Sequence, residues 1–223
     1  MSEERSAEQV EQHYISGMGS RLGRLFFCLY NECVWLNWTW SEFVTLFGSK
    51  PERVDLLNST APLFFRIIQD CLWESILLGI ARFTDPPSAR GKNRQHLTLR
   101  QLPSLLDGDL RVQIGDLLAK CLGECEFARD WRDRHIAHRN LQLALDDPVA
   151  PLAFASRQTA GSAIHSISAL LNALELHYLG STVAYEPSAP KSAESLLLVV
   201  QDGLRAEARR RDRLRSGKYE PEE

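Results

Sequence analysis

The sequence predicts an all-α protein, an antiparallel helical bundle with extra helices at its N- and C-termini. Apolar residues recur at helical spacing through most of the chain, and no period-two alternation of useful length occurs anywhere. Its 223 residues suit one large helical domain, or a compact domain with elaborated ends. With 44% hydrophobic and 25% charged residues, a core of that size needs neither disulfide nor metal to hold it.

A first helix is expected from about residue 8 to the late thirties, with Ile15, Met18, Leu22, Leu25, Phe26, Leu29, Cys33 and Leu36 on one stripe. The aromatic cluster Trp35, Trp38, Trp40, Phe43 and Phe47 reads as core, with part of it a candidate partner surface, and Gly48 and Pro51 end it. Asn58, Ser59 and Thr60 offer N-cap oxygens for the next helix, and Pro62 is tolerated in its first turn. Phe64, Ile67, Ile68, Cys71, Leu72, Ile76, Gly79, Ile80 and Phe83 carry that helix to Thr84-Asp85-Pro86-Pro87. Asp85 reads there as a turn residue, with Arg82 as a candidate ion-pair partner.

Residues 84–96 read as a loop and 97–106 as a short helix interrupted near Pro103. Another helix starts near Asp109 and runs beyond Ala128. Residues 141–158, with Asp146-Asp147-Pro148, read as a long connection. A small-residue helix from about 160 to 179 carries Ala163, Ile167, Leu170, Leu171 and Leu174 on one side. Gly180 to Pro190 reads as a linker, and a last helix begins near Ser192 and runs into a basic tail. The domain boundary falls accordingly: a bundle over 1–190, then a C-terminal helix with basic tail over 191–223.

The net charge of −3 supplies no global basic field, so any nucleic-acid site has to be local. Five cysteines (Cys28, Cys33, Cys71, Cys121, Cys125), each inside an apolar helical pattern, read as reduced core thiols. The opening thirteen residues are polar, and no apolar run approaches the length of a bilayer span, so a cytoplasmic protein without membrane contact is expected. Walker, dinucleotide, nucleophile-elbow and H-E-x-x-H motifs are absent, which removes several common enzyme classes.

The chemistry concentrates in Trp131-Arg132-Asp133-Arg134-His135-Ile136-Ala137-His138-Arg139-Asn140. The helix from Asp109 turns its apolar face through Leu110, Ile114, Leu118, Cys121 and Cys125, and at 100° per residue Arg132 falls near the middle of that stripe. A guanidinium there needs a carboxylate, another subunit or a phosphate, with Asp133 and Asp130 as nearby carboxylates. Histidine can take and give protons near neutrality, and the arginine fork matches phosphate oxygens, a pairing suited to RNA cleavage without a metal. Arg132 and His138, six residues apart, point about 120° from each other on a straight helix, so they converge only where the helix ends or bends. Arg134 and His138, at i and i+4, share a face. The set Cys121, Cys125, His135, His138 is too compact for the usual zinc finger, and no metal or cofactor is expected.

Arg132-Asp133 followed by His138 resembles the signature of the HEPN superfamily. With LLGIARFTDP (77–86) and LTLRQL (97–102) in the same order, the text is similar to the AbiU-type abortive-infection branch. The resemblance implies a helical bundle that forms a homodimer, with two arginine–histidine motifs facing across a cleft. It implies a metal-independent endoribonuclease acting on an RNA substrate, in phage defence or a toxin–antitoxin setting with a cognate antitoxin. Other members lack activity and serve as nucleotide-binding or interaction modules. By position Arg132, Asp133 and His138 match the catalytic motif. Arg134, His135 and Arg139 join them as candidate substrate-binding residues.

Other basic residues keep two readings. Arg205, Arg209, Arg210, Arg211, Arg213, Arg215 and Lys218 form a solvated helix end or a phosphate contact. Arg90, Lys92, Arg94 and His96 are similarly ambiguous. His165 and His177, on a separate helix, read as surface or satisfied residues and not as catalytic ones.

Overall fold

A computed structural model describes residues 6–48, 50–88, 94–145, 147–187 and 192–217. Arg90, Lys92, Asp146, Pro190 and Lys218 lie outside the described residues. Every named element among those described is helical: α1 (Ala7–Met18), α2 (Ser20–Phe43), α3 (Pro51–Thr60), α4 (Pro62–Thr84), α5 (Gly108–Glu124), α6 (Glu126–Trp131), α7 (Leu141–Ala144), α8 (Arg157–Leu179) and α9 (Ser192–Arg215). A 3₁₀-helix (Leu99–Leu105) and two widened π turns (Val44–Gly48 and Arg132–Ile136) complete the set. The chain divides into two compact units, Met1–Thr39 with Glu74–Glu186, and Trp40–Trp73 with Pro187–Glu223.

The expected first helix is two. Gly19 takes φ 82° between α1 and α2, a left-handed value open to glycine, and its N–H bonds the Ile15 carbonyl. The two helices then approach closely at Gly23. A Cβ added there would lie 2.6 Å from the Ile15 Cα and the Tyr14 carbonyl carbon, closer still to the Tyr14 oxygen.

In the larger unit α5 packs on α8, whose Ala160, Ala163, Ile164, Ile167, Leu170, Leu171 and Leu174 are buried. Asn37 on α2 donates to the Cys33 carbonyl at 2.8 Å and to Ser168 Oγ at 3.2 Å, tying α2 to α8. His165 and His177 are exposed on α8. In the smaller unit Leu46, Leu57, Phe65, Ala193 and Leu197 form the core, so α9, expected as a separate C-terminal segment, packs with 40–73. Glu42 accepts from the Ala193 N–H at 2.7 Å, placing a carboxylate where the first turn of α9 has spare donors.

Three further expectations change. Residues 51–60 are a helix, and Ser59 and Thr60 donate to the Leu56 carbonyl at 2.8 Å within its last turn instead of capping the next helix. In α4 the stripe is buried at Ile76, Ile80 and Phe83, whereas Phe64, Ile67 and Cys71 are exposed. Only Cys33, Cys121 and Cys125 are core thiols, and Cys28 is exposed like Cys71. Burial pushes the Cys33 thiol up to about 12, further from its reactive thiolate. Native protein is therefore expected to react promptly with a thiol reagent at Cys28 and Cys71 alone, and at all five cysteines in guanidinium. Fast native labelling of Cys33 would contradict this burial.

One buried polar cluster sits in the larger unit. Glu175 on α8 is buried and accepts from Ser181 Oγ at 3.4 Å, while its second oxygen and the Tyr185 hydroxyl have no partner among the described residues. Burial raises the Glu175 pKa, against the hydrogen bonds of Ser181 and Tyr14. A carboxyl raised on folding stabilises fully below its unfolded pKa, and that contribution is lost as pH rises through the folded value. Glu175→Gln is accordingly expected to be more stable by about 1–2 kcal/mol at pH 7 and about equal near pH 4, read by urea titration. A stability gap that widens toward acid would refute the reading.

Candidate functional site

The site begins at the C-terminus of α4, whose last carbonyls have no intrahelical partners. The Thr98 hydroxyl lies 2.9 Å from the Phe83 carbonyl and 2.8 Å from that of Asp85. Arg100 Nε donates to the Thr84 carbonyl at 2.8 Å. These contacts from the start of the 3₁₀-helix satisfy the end of α4 and hold Asp85 in place, with Pro86 preventing the helix from continuing.

Asp85 then accepts from Arg132 Nη1, across 47 positions of chain. Arg132 Nε donates to Asp133 at 2.8 Å. The Arg132 side chain is 20% exposed and that of Asp85 15%. Burial works to lower the Arg132 pKa, but hydrogen bonds and charge from Asp133 and Asp85 overcome it and the value is raised. The guanidinium stays charged. Its third nitrogen, Nη2, has no partner among the described residues.

The backbone here departs from an α-helix. Cys125 closes α5, α6 runs only six residues, and Arg132–Ile136 form a π turn in which the Ala137 N–H bonds the Arg132 carbonyl at 2.8 Å. The helix ends at Ile136, and Asn140 caps the short α7 by accepting from the Leu143 N–H at 3.1 Å. His138 and Arg139 therefore stand beyond the helix end, both exposed.

The structure brings Arg132, Asp133 and Asp85 together. Arg134 goes elsewhere: its guanidinium bonds Asp130 at 3.1 Å, the Pro151 carbonyl at 3.2 Å and the Ala150 carbonyl. Asp130 also accepts from the Ala153 N–H at 2.8 Å, and the Trp131 indole donates to the Ala153 carbonyl at 2.8 Å. Together they staple the 150–153 connector to α6. His135 packs edge-on to Trp131, with ring centroids 5.3 Å apart.

Asp85 is the residue that sequence reasoning assigned too little. It pairs with Arg132, and no pairing with Arg82 forms. The signal that could have found it is its place in the LLGIARFTDP block, combined with the demand of Arg132 for a carboxylate.

Asp85 also belongs to the wall of a cleft of about 370 Å³, with Leu29, Phe83 and Leu97 as its apolar lining and Glu32, Arg82 and His96 as further polar groups. No group of histidine, cysteine and carboxylate side chains among the described residues is arranged to hold a metal ion. No helix among them is long and apolar enough to cross a membrane.

No curated protein and no solved structure matches the chain. The family model described as AbiU2, a HEPN model, matches residues 19–196, which include Asp85, the cleft and the whole arginine–histidine segment. The chain therefore belongs to the AbiU2 family of HEPN domains.

Proposed function

We propose that this protein is a metal-independent endoribonuclease that works as a homodimer, in phage defence or beside a cognate antitoxin. The observation that carries the reading is the state of Arg132. Two carboxylates hold its Nε and Nη1, leaving Nη2 for a phosphate oxygen, while His138 six residues on is exposed. His138 takes the proton of a 2′-hydroxyl, whose oxygen attacks the adjacent phosphorus. The bond to the 5′-oxygen breaks, that oxygen takes a proton, and a 2′,3′-cyclic phosphate remains. Arg132 stabilises charge on the phosphorane-like transition state, with Asp133 and Asp85 orienting it. Arg139, exposed beside His138, is placed to meet the RNA backbone. Arg134 and His135 act as supports of the segment.

The dimer is supported by one feature. Leu141, Leu145 and Phe154, next to the motif in sequence, are 70%, 62% and 80% exposed, apolar surface suited to burial between copies.

One observation favours a second reading, a catalytically inactive module that binds nucleotide, RNA or a protein. A mostly buried arginine clamped by two carboxylates is also what a purely structural ion-pair network looks like. Incubation of purified protein with RNA in EDTA separates the two. Cleavage with cyclic phosphate ends, lost in His138→Ala, supports the nuclease. RNA left intact by wild-type protein assigns the motif to binding.

A further inference from the structure

Glu32 and Arg82 line the same cleft with opposite charges, yet neither pairs with the other or with any described residue. Held apart, they complement a ligand that carries hydrogen-bond donors at one end and an anion at the other. Leu29 and Phe83 are almost wholly buried and form the floor, while Leu97, 39% exposed, supplies most of the accessible apolar surface. That lining suits a flat, weakly polar ring. The volume of about 370 Å³ lies at the small end of ligand sites and admits one such unit rather than a longer segment.

We infer that the cleft is a base-recognition subsite for a single nucleotide, selective for guanine. The ring lies against Leu97, Glu32 accepts from its edge, and Arg82 meets a phosphate. Guanine is the base whose pairing edge presents two adjacent donors, N1–H and the 2-amino group, which match the two oxygens of one carboxylate. Adenine and cytosine set a donor beside an acceptor, and uracil flanks its one donor with two acceptors. Each of these turns a lone pair toward Glu32, setting acceptor against acceptor. The position in the fold gives the subsite its purpose. Asp85 contributes to the cleft wall and at the same time grips Arg132. A nucleotide seated here shares Asp85 with the proposed catalytic arginine, and the subsite selects where the RNA is cut. In that last respect the inference rests on the ribonuclease reading, whereas recognition of the nucleotide does not.

Calorimetric titration of the full-length protein in EDTA with GMP, AMP, CMP and UMP tests it. GMP is expected to bind at least about tenfold tighter than UMP. Glu32→Gln should bring GMP to within about threefold of the others, since an amide offers one acceptor and one donor in place of two acceptors. Arg82→Ala should weaken all four by a similar factor, about tenfold, because the phosphate is common to them. Both residues are exposed, so unchanged thermal melting confirms that each variant folds. Equal binding of the four nucleotides, a preference that survives Glu32→Gln, or no saturable binding at millimolar GMP overturns the inference. RNA cleavage measured alongside keeps the two ideas separate: cleavage without guanine preference sinks only the subsite, and GMP selectivity without cleavage sinks only the nuclease.

Discussion

In His138→Ala the rate of RNA cleavage in EDTA is expected to fall by about 10²–10⁴-fold, the usual contribution of a positioned acid–base group. The fold offers this experiment a clean background. His138 lies just beyond the π turn, is exposed, and makes no hydrogen bond among the described residues. Its loss should leave the unfolding free energy within about 0.5 kcal/mol of wild type, as for surface positions without special contacts. Activity and stability then part company, and a dead variant with a wild-type melting curve places the chemistry at this imidazole. Arg132→Ala behaves differently. It removes the charge that Asp85 and Asp133 face, so loss of cleavage comes with loss of stability. His138→Ala that cleaves as fast as wild type would end the acid–base assignment.

Gly23→Ala is expected to cost about 3 kcal/mol or more of folding stability, a large fraction of what a domain possesses. The obstacle is backbone. A new Cβ would stand 2.6 Å from the Ile15 Cα and the Tyr14 carbonyl carbon, and neither can rotate aside as a side chain can. Relief requires α1 to lift from α2, disturbing Tyr14, which packs on the fully buried Phe26 with ring centroids 4.8 Å apart. Gly115 in α5 makes the control, because nothing lies within 4 Å of its added Cβ. Gly115→Ala should stabilise by about 0.5–1 kcal/mol through helix propensity alone. Urea midpoints of the two variants should move in opposite directions. A Gly23→Ala midpoint equal to wild type would mean that the close approach of α1 and α2 is absent in solution.

Several elements were legible because one short-range rule decided them. The buried stripe of α8 obeys helical periodicity, Gly180 ends it in the left-handed conformation, and Pro86 closes α4. Where two rules compete, reading failed. Ser59 and Thr60 can cap a helix start or bond back within a final turn, and residues 58–60 alone do not decide between them. The break at Gly19 hid behind an apolar stripe that stays in phase on both sides of it. Cys28, Cys71 and Phe64 fit a helical stripe, but periodicity reports a face and not whether anything covers it. In the site, the motif and the need of Arg132 for a carboxylate could be read, whereas the choice of Asp85 depends on a contact spanning 47 residues. The π turn has no residue signature at all.

That turn makes spacing part of the site. A π turn is an α-helix carrying one residue too many, accommodated by widening the ring while the rest of the chain keeps its direction. Deleting one position between Asp133 and Ile136 would let the ladder close at its ordinary span and swing the downstream residues by about 100°. His138 would then leave on another bearing while Arg132 stayed on Asp85. Two chains with the same arginine and histidine, one residue apart in length here, would present differently aimed imidazoles. Within this family a gap count across 132–138 is therefore as informative about competence as the identity of the two residues themselves.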